Sequence, residues 1–143
     1  MSKYLVGGNI VVVVDNSSAA AQIVTPYITE IEAIGKEFNE IDDTVLSDTA
    51  ESVIAGIEKA QSITIKGFAD DTATTGWDTV VFGSTGIVGV VGSVKIIAKA
   101  SVRSFLAEML CTSAKYTGKV GEFWMLEATF KQDGAMSVGA LAS

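Results

Sequence analysis

The sequence predicts a mainly-β protein: an antiparallel β-sandwich or small barrel with one or two short flanking helices and a long inter-strand loop. Short runs of alternating or β-branched residues recur along the 143-residue chain and are separated by turn residues. The apolar fraction of 48% and the charged fraction of 19% are typical of an ordered chain with a substantial core. We therefore expect a single domain over residues 1–143.

The N-terminal segments are predicted as two extended stretches. The first runs from Asn9 to Asp15, where four consecutive valines favour a strand buried on both faces. Asn16-Ser17-Ser18 then predicts a turn. The second stretch runs from Ile23 to Ile34, and Pro26 within it indicates an edge position or a strand start.

A long excursion, Phe38 to Ala60, follows. Its first part is acidic, and its second part repeats apolar residues at the i, i+3, i+4, i+7 spacing of one helix face. These residues are Ala50, Val53, Ile54, Ile57 and Ala60. Asp48 and Glu51 resemble a capping box, although Gly56 costs roughly 1 kcal/mol inside any helix. We predict a long loop with a short helix, not a tight hairpin.

The central region alternates strand and helix signals. Ile63 and Ile65 alternate with polar residues, which predicts a half-buried strand. A short helix is predicted from Thr75 to Phe82, with Gly83 as its stop. Val94 to Arg103 is a further strand candidate.

The C-terminal third predicts a strand pair, Phe105 to Tyr116 and Glu122 to Lys131, joined by a glycine-containing turn. In the second strand the apolar residues share one parity. These are Trp124, Leu126, Ala128 and Phe130. Because a one-residue slip would expose the whole set, the pairing should be well specified.

No catalytic or metal centre is predicted. The chain has no His and a single Cys, Cys111, so the commonest general base and every Ser-His or Cys-His pair are missing. It lacks the dinucleotide fingerprint and the phosphate loop. Asp42-Asp43 and Asp70-Asp71 are interpreted as turn residues rather than as catalytic or calcium-binding pairs, and Trp77 and Trp124 as core residues. We expect no enzyme activity and no cofactor.

The net charge is −7, from ten Lys and Arg against seventeen Asp and Glu. This balance argues against binding nucleic acid by phosphate neutralisation, but it is compatible with enclosing the polymer without gripping it. No signal peptide is evident, and the longest uncharged stretch, Thr79 to Val94, is shorter than the ~20 residues that span a bilayer. We expect a soluble chain, intracellular at synthesis, with no membrane partner.

Several short segments occur in an order that matches a known family. They are Tyr27 to Ile31; Asp43 to Glu51; Ile54 to Ala60; Ile63 to Phe68 with Asp70-Asp71-Thr72; and Leu126 to Lys131 with Asp133-Gly134. In this order they resemble the major tail tube proteins of long-tailed bacteriophages, over roughly Tyr27 to Gly134. Ser47, where a glycine often precedes the aspartate, and the glycine-rich stretch Gly83 to Gly92 depart from the pattern.

The resemblance implies a structural protein of the virion, assembled in the host cytoplasm. Six copies would form a ring, and rings would stack into a tube around the tape measure protein and later around viral DNA, which passes without specific binding. Tail terminator and distal tail proteins would be further partners. The excursion would contact a neighbouring subunit or ring. The predicted contact residues are Phe38, Asp42, Asp43, Thr44, Val45, Leu46, Asp48, Val53, Ile54 and Ile57.

Alternatives stay open at this point. The chain fits another virion structural protein on a similar sandwich, such as a distal tail, tail completion or capsid decoration protein. A monomeric ligand-binding β-barrel is a third class, and it requires an open interior lined by polar and aromatic residues. The predicted helix could also cap its own subunit instead of contacting a neighbour.

Overall fold

A computed structural model of the protein describes residues 11–18, 20–32, 34–45, 50–99 and 103–140. Within these ranges the chain forms ten strands, one short α-helix and one 3₁₀ turn. The strands are β1 (Val11–Asp15), β2 (Ala21–Ile23), β3 (Ile28–Ile31), β4 (Glu37–Asp42), β5 (Val53–Lys59), β6 (Ser62–Phe68), β7 (Val91–Lys99), β8 (Arg103–Thr117), β9 (Met125–Gln132) and β10 (Ser137–Ala140). Helix α1 spans Trp77–Phe82 and the 3₁₀ turn spans Thr25–Tyr27.

Eight strands form one sheet in the order β2-β1-β7-β8-β9-β6-β3, with β10 paired to β8. Every strand ladder in the described ranges is antiparallel, which confirms the predicted mainly-β class. The long strand β8 pairs with β7 and β10 through its first part and with β9 through its second part. A bulge between Cys111 and Ser113 lies in the β8–β9 ladder.

The sheet curls because a short connection joins its two edge strands, β2 and β3. Only Val24–Tyr27 separates the end of β2 from the start of β3, and five extended residue steps span at most about 17 Å. A flat sheet of seven strands would be about 29 Å wide at the usual strand spacing. The connection is tied to β1, since the Val24 N–H donates to the Val12 carbonyl at 3.0 Å.

The concave side of the sheet encloses one apolar core. Its buried residues come from β8, from strands on both sides of β8 and from α1. They include Val12, Val14, Ile63, Ile65, Trp77, Val80, Val81, Val94, Ile96, Met109, Cys111, Leu126, Ala128 and Phe130. Helix α1 covers the core with three buried side chains and ends at Gly83, as predicted. The Trp77 indole N–H donates to the Leu126 carbonyl at 2.9 Å, which satisfies its buried polar atom.

The predicted helix within residues 50–60 is wrong, because Val53–Lys59 forms strand β5 and pairs with β4 in a separate two-stranded sheet. The helical spacing of the apolar residues was the misleading signal. Val53, Ile54 and Ile57 are β-branched and Gly56 lies among them, and both features favour an extended backbone. Once β4 offers a hydrogen-bonding partner, the strand is the better solution. The excursion is long, as predicted, but it is a β-hairpin.

Other boundaries also differ from the prediction. The second extended stretch is interrupted at Pro26 by the 3₁₀ turn, since proline fixes φ near the helical range. The predicted strand from Val94 to Arg103 spans the end of β7 and the first residue of β8. Strand β10 was not predicted.

Trp124 was predicted to point into the core, and this is wrong. Leu126, Ala128 and Phe130 are buried as expected, but Trp124 is 60% exposed. Strand β9 begins only at Met125, so the alternation that orients the later residues does not extend to Trp124.

Candidate assembly surface

The β4–β5 hairpin lies outside the main sheet. Its strands pair from Glu37 opposite Lys59 at the base to Asp42 opposite Val53 near the tip, with a bulge between Phe38 and Glu40. Neither strand is part of a ladder with the main sheet in the described residues. Both outer edges of the hairpin therefore present backbone groups that another chain could pair with.

The hairpin exposes large apolar side chains on both faces. All six residues of β4 are exposed, and Ile57 on β5 is 81% exposed. The exposed set is Phe38, Ile41, Val45, Val53, Ile54 and Ile57. Ile41 lies opposite Ile54 on one face, whereas Val53, opposite Asp42, lies on the other because neighbouring residues alternate along a strand. Packing of one face on its own subunit would leave the other face exposed.

Glu58 anchors the base of the hairpin to the body. Its carboxylate accepts hydrogen bonds from the Gln132 side chain and, at 2.9 Å, from the Met136 backbone N–H, and it lies 3.6 Å from the Lys36 ammonium. The pKa of Glu58 is lowered, chiefly by the Met136 hydrogen bond and further by Gln132 and Lys36. The base is thus held by specific polar contacts rather than by a shared apolar core.

Short-range hydrogen bonds join the two strands of the hairpin near its tip. The Asp42 carboxylate accepts from the Thr44 N–H at 2.9 Å, and its bonds to Thr44 lower the pKa of Asp42. The Ser52 N–H donates to the Thr44 hydroxyl at 2.7 Å across the hairpin. The Asp43 N–H donates to the Ser52 carbonyl at 2.9 Å. Asp42, although it is the last residue of β4, and Asp70, through a 2.8 Å bond from the Thr72 N–H, thus each make the carboxylate contact with the N–H two residues on that is typical of turns.

The structure brings most of the predicted contact residues together on this hairpin. Those on it are Phe38, Asp42, Asp43, Thr44, Val45, Val53, Ile54 and Ile57. Leu46 and Asp48 lie outside the described residues. The contact of these eight side chains with a neighbouring copy stays a prediction.

A second exposed apolar surface lies at the opposite end of the β6–β9 pair. It consists of five aromatic side chains: Phe68, Phe82, Tyr116, Phe123 and Trp124. Ring centroids are 5.9 Å apart for Phe68–Phe123, and 5.8 Å apart for both Phe82–Tyr116 and Tyr116–Trp124. We call this surface, with the carboxylates of Asp70, Asp71, Asp78 and Glu122 beside it, the aromatic cleft. Within it, Tyr116, Phe123, Trp124 and these carboxylates line an open pocket of about 460 Å³.

Two local contacts hold the aromatic cleft in shape. The Tyr116 hydroxyl donates to the Asp78 carboxylate, and partial burial together with that carboxylate raises the pKa of Tyr116 to about 12. The Trp124 ring lies directly over Gly118, where an added Cβ would come within 2.5 Å of a ring carbon. Only glycine leaves room for the ring at this position.

Sequence reasoning missed the aromatic cleft because its members come from distant segments. One signal was present: Phe123 and Trp124 are consecutive, so an extended backbone would direct them to opposite faces and at least one outward. Phe68 and Tyr116 stand at or near strand ends, where burial is hard to predict from periodicity.

The described residues show no acidic or thiol cluster suited to a metal ion, and none of the helices they form has the length and apolar character needed to cross a bilayer. Cys111 is buried, and burial raises the pKa of its thiol to about 11.

No protein-family model and no curated protein sequence matches the chain. Solved structures do match. A chain from the tail of an empty GTA particle, solved with C6 symmetry, has a TM-score of 0.70 and 18% identity over 95% of this chain and 99% of that one. The anti-feeding prophage tube terminating cap matches with a TM-score of 0.65 and 13% identity, over 98% and 94% of the two chains.

The SPP1 tail tube also matches, with a TM-score of 0.59 and 9% identity over 97% of this chain and 81% of that one. At these identities the likeness establishes the fold, which spans nearly the whole chain. The fold is thus one found in the tails and tubes of phage-like particles, as the sequence resemblance indicated.

Proposed function

We propose that this chain is a tail tube subunit of a phage-like particle, with residues 1–143 acting as one tail-tube-like domain. Six copies would form a ring, and rings would stack into a hollow tube. The role is structural and non-enzymatic. The proposal is supported by the fold, which is shared with chains of a C6-symmetric tail and of a tail tube.

The observation that carries the proposal is the β4–β5 hairpin. A two-stranded hairpin is marginally stable alone, and this one exposes six large apolar side chains, including Phe38 and Ile57. Each Val, Ile or Phe side chain gains about 1.5–3 kcal/mol when it is fully buried. Contact with a neighbouring copy would release this free energy and use the open strand edges.

The filled interior argues against the ligand-binding barrel. Leu126, Ala128 and Phe130 point into the curled sheet and are at most 1% exposed, and Trp77 closes one side of the core. A ligand-binding barrel keeps space at these positions. A structural subunit gains stability by filling them.

The partners follow from the proposed role. A tube of this acidic chain, with a net charge of −7, would repel the DNA phosphates and let DNA slide through the lumen. The tape measure protein would occupy the lumen before DNA, and tail terminator and distal tail proteins would bind the two tube ends. The chain would then reside in the virion tail, after assembly in the host cytoplasm.

A tube-terminating cap is the second candidate, and it is favoured by the likeness to the anti-feeding prophage cap. A cap forms one ring at the end of a tube made by another protein. A tube subunit polymerises with itself. Electron microscopy of the purified chain separates them, since a cap alone gives single rings and a tube subunit gives stacks.

The test substitutes exposed hairpin residues. The double variant Val53→Asp, Ile57→Asp places charge at two exposed apolar positions of the hairpin, so we expect a folded monomer that forms neither rings nor tubes. Glu40→Gln, at an exposed polar position of the same hairpin, is the matched control and should assemble like the wild type. Sedimentation velocity reports assembly, and circular dichroism reports folding. Assembly of the double variant at wild-type concentrations would contradict the proposed role of the hairpin.

A further inference from the structure

The exposed apolar side chains concentrate at two opposite ends of the molecule. The hairpin joins the body where β6 begins, at Ser62 opposite Lys131, and the aromatic cleft lies where β6 ends, at Phe68 opposite Met125. Six residue steps of strand separate these ends by about 20 Å. In the described residues, six exposed large apolar side chains lie on the hairpin and six at the cleft end, where Val120 joins the five aromatics.

Two different apolar surfaces at opposite ends favour head-to-tail association. A surface that pairs with a different surface on the next copy makes a heterologous contact, which repeats without limit unless a rotation closes it. Single exposed apolar residues need no partner, but contiguous patches mark interaction sites. The occupant of the aromatic cleft that fits this pattern is the hairpin of a second copy.

Charge selects which part of the hairpin fits. The aromatic cleft is lined by four carboxylates, with Lys119 on the adjoining loop. The hairpin tip carries Asp42, Asp43 and Glu51, and like charges would repel it from the cleft. The base of the hairpin instead presents Ile57 and, two residues on, Lys59, an aliphatic side chain beside an ammonium.

Ile57 and Lys59 match the chemistry of the aromatic cleft. The 81% exposed Ile57 side chain would lose its water contact against the rings of Phe123 and Trp124. Among the described residues the Lys59 ammonium makes one ion pair, an exposed one with Glu37 at 3.7 Å, and such pairs contribute little to stability. Its ammonium is therefore available to a carboxylate such as Glu122 or to the face of Trp124.

We propose that the aromatic cleft is the socket for the base of the hairpin of a second copy of this chain, with Ile57 and Lys59 as the inserted residues. This rests on the proposed tube function and names the surface that receives the hairpin. It assigns Phe123, Trp124 and Glu122 to the contact between successive copies.

Disulfide trapping in assembled full-length protein tests the socket. The double variants Ile57→Cys, Phe123→Cys and Ile57→Cys, Phe68→Cys place one thiol on the hairpin and one in the cleft. Mild oxidation of assembled tubes should then give a ladder of covalent multimers on a non-reducing gel. Each single variant is a control and should give at most dimers, because a ladder needs both surfaces. The buried Cys111 leaves the introduced thiols as the reactive pair.

The outcomes separate the two proposals. A ladder in either double variant, absent in the single variants, supports the socket. Tubes that form normally and give no ladder in both double variants overturn the socket and leave the tube function standing. Failure of the wild type to form rings or tubes overturns the proposed function, and the socket with it.

Discussion

The Glu58 carboxylate accepts a hydrogen bond from the backbone N–H of Met136 at 2.9 Å, although 78 residues separate them in the chain. Met136 is only 2% exposed and belongs to the core. Glu58 stands on the hairpin, whose apolar residues are exposed. The contact therefore fixes the exposed hairpin to the core of its subunit, so that the hairpin is already positioned before it meets another copy.

Replacing Glu58 should loosen the hairpin and change its pH response. The pKa of Glu58 lies below its ordinary value of 4.5, so its contribution to stability is complete above that value. The contribution is lost as pH falls through the lowered folded pKa. Glu58→Gln removes this component. Near neutral pH we expect faster hydrogen exchange of residues 37–59 in the variant than in the wild type. On acidification, the opening of the hairpin measured by this exchange should increase less in the variant.

Glu40→Gln is the matched control for that experiment, because Glu40 is an exposed carboxylate of the same hairpin. It should leave the exchange of the hairpin at its wild-type rate. If Glu58→Gln and the wild type exchange alike across the acid range, the anchoring role of Glu58 is wrong.

Truncation of the two tryptophans should lower the unfolding free energy by very different amounts. Trp77 is fully buried and hydrogen-bonded to Leu126, so Trp77→Ala should cost about 3–5 kcal/mol of unfolding free energy. Trp124 is mostly exposed, and Trp124→Ala should cost under about 1 kcal/mol in the unassembled chain. Urea unfolding of both variants measures the difference. Equal costs would contradict the core placement of Trp77 and the exposed placement of Trp124.

Gly118→Ala should displace the Trp124 ring, because the added Cβ would lie 2.5 Å from it. The ring would leave its place beside Tyr116 and become more accessible to acrylamide, while the buried Trp77 supplies a constant background. Gly35→Ala is the control, since an added Cβ there meets nothing within 4 Å. Unchanged quenching in Gly118→Ala would show that Trp124 does not lie against Gly118.

Cys111 should resist thiol reagents in the native protein. Burial raises the pKa of its thiol to about 11, so at about pH 8 almost none is thiolate, the reactive form. We expect no labelling by iodoacetamide until denaturant is added, and stoichiometric labelling afterwards. Mass spectrometry measures both states. Rapid native labelling would place Cys111 outside the core.

The elements predicted well are those whose signals are local. Ile63 and Ile65 alternate cleanly with polar residues and form β6, and α1 ends at Gly83, where the backbone becomes extended after the Gly83 N–H has bonded the Thr79 carbonyl. The class of fold follows from many such segments. Two of the four residues of β10 are Gly139 and Ala140, and the strand shows little alternation of apolar and polar residues. Its formation therefore depends on pairing with β8.

The hairpin and the aromatic cleft depend on tertiary context. The spacing of Val53, Ile54 and Ile57 matches a helix face, whereas their β-branched side chains favour a strand, and the pairing with β4 decides between the two. The assembly role of the excursion stays a prediction, which comes from the family resemblance and from apolar residues that need something apolar to cover them. The cleft combines Phe68, Phe82 and Tyr116 from three elements, and only the curl of the sheet brings them together.

The most direct test of the central claim is electron microscopy of the purified wild-type chain at rising concentration. The account predicts rings that stack into hollow tubes of uniform diameter, with the hairpin at a contact between copies in the reconstruction. A monodisperse 14.9 kDa species at every concentration, also in the presence of the other tail proteins, would contradict it.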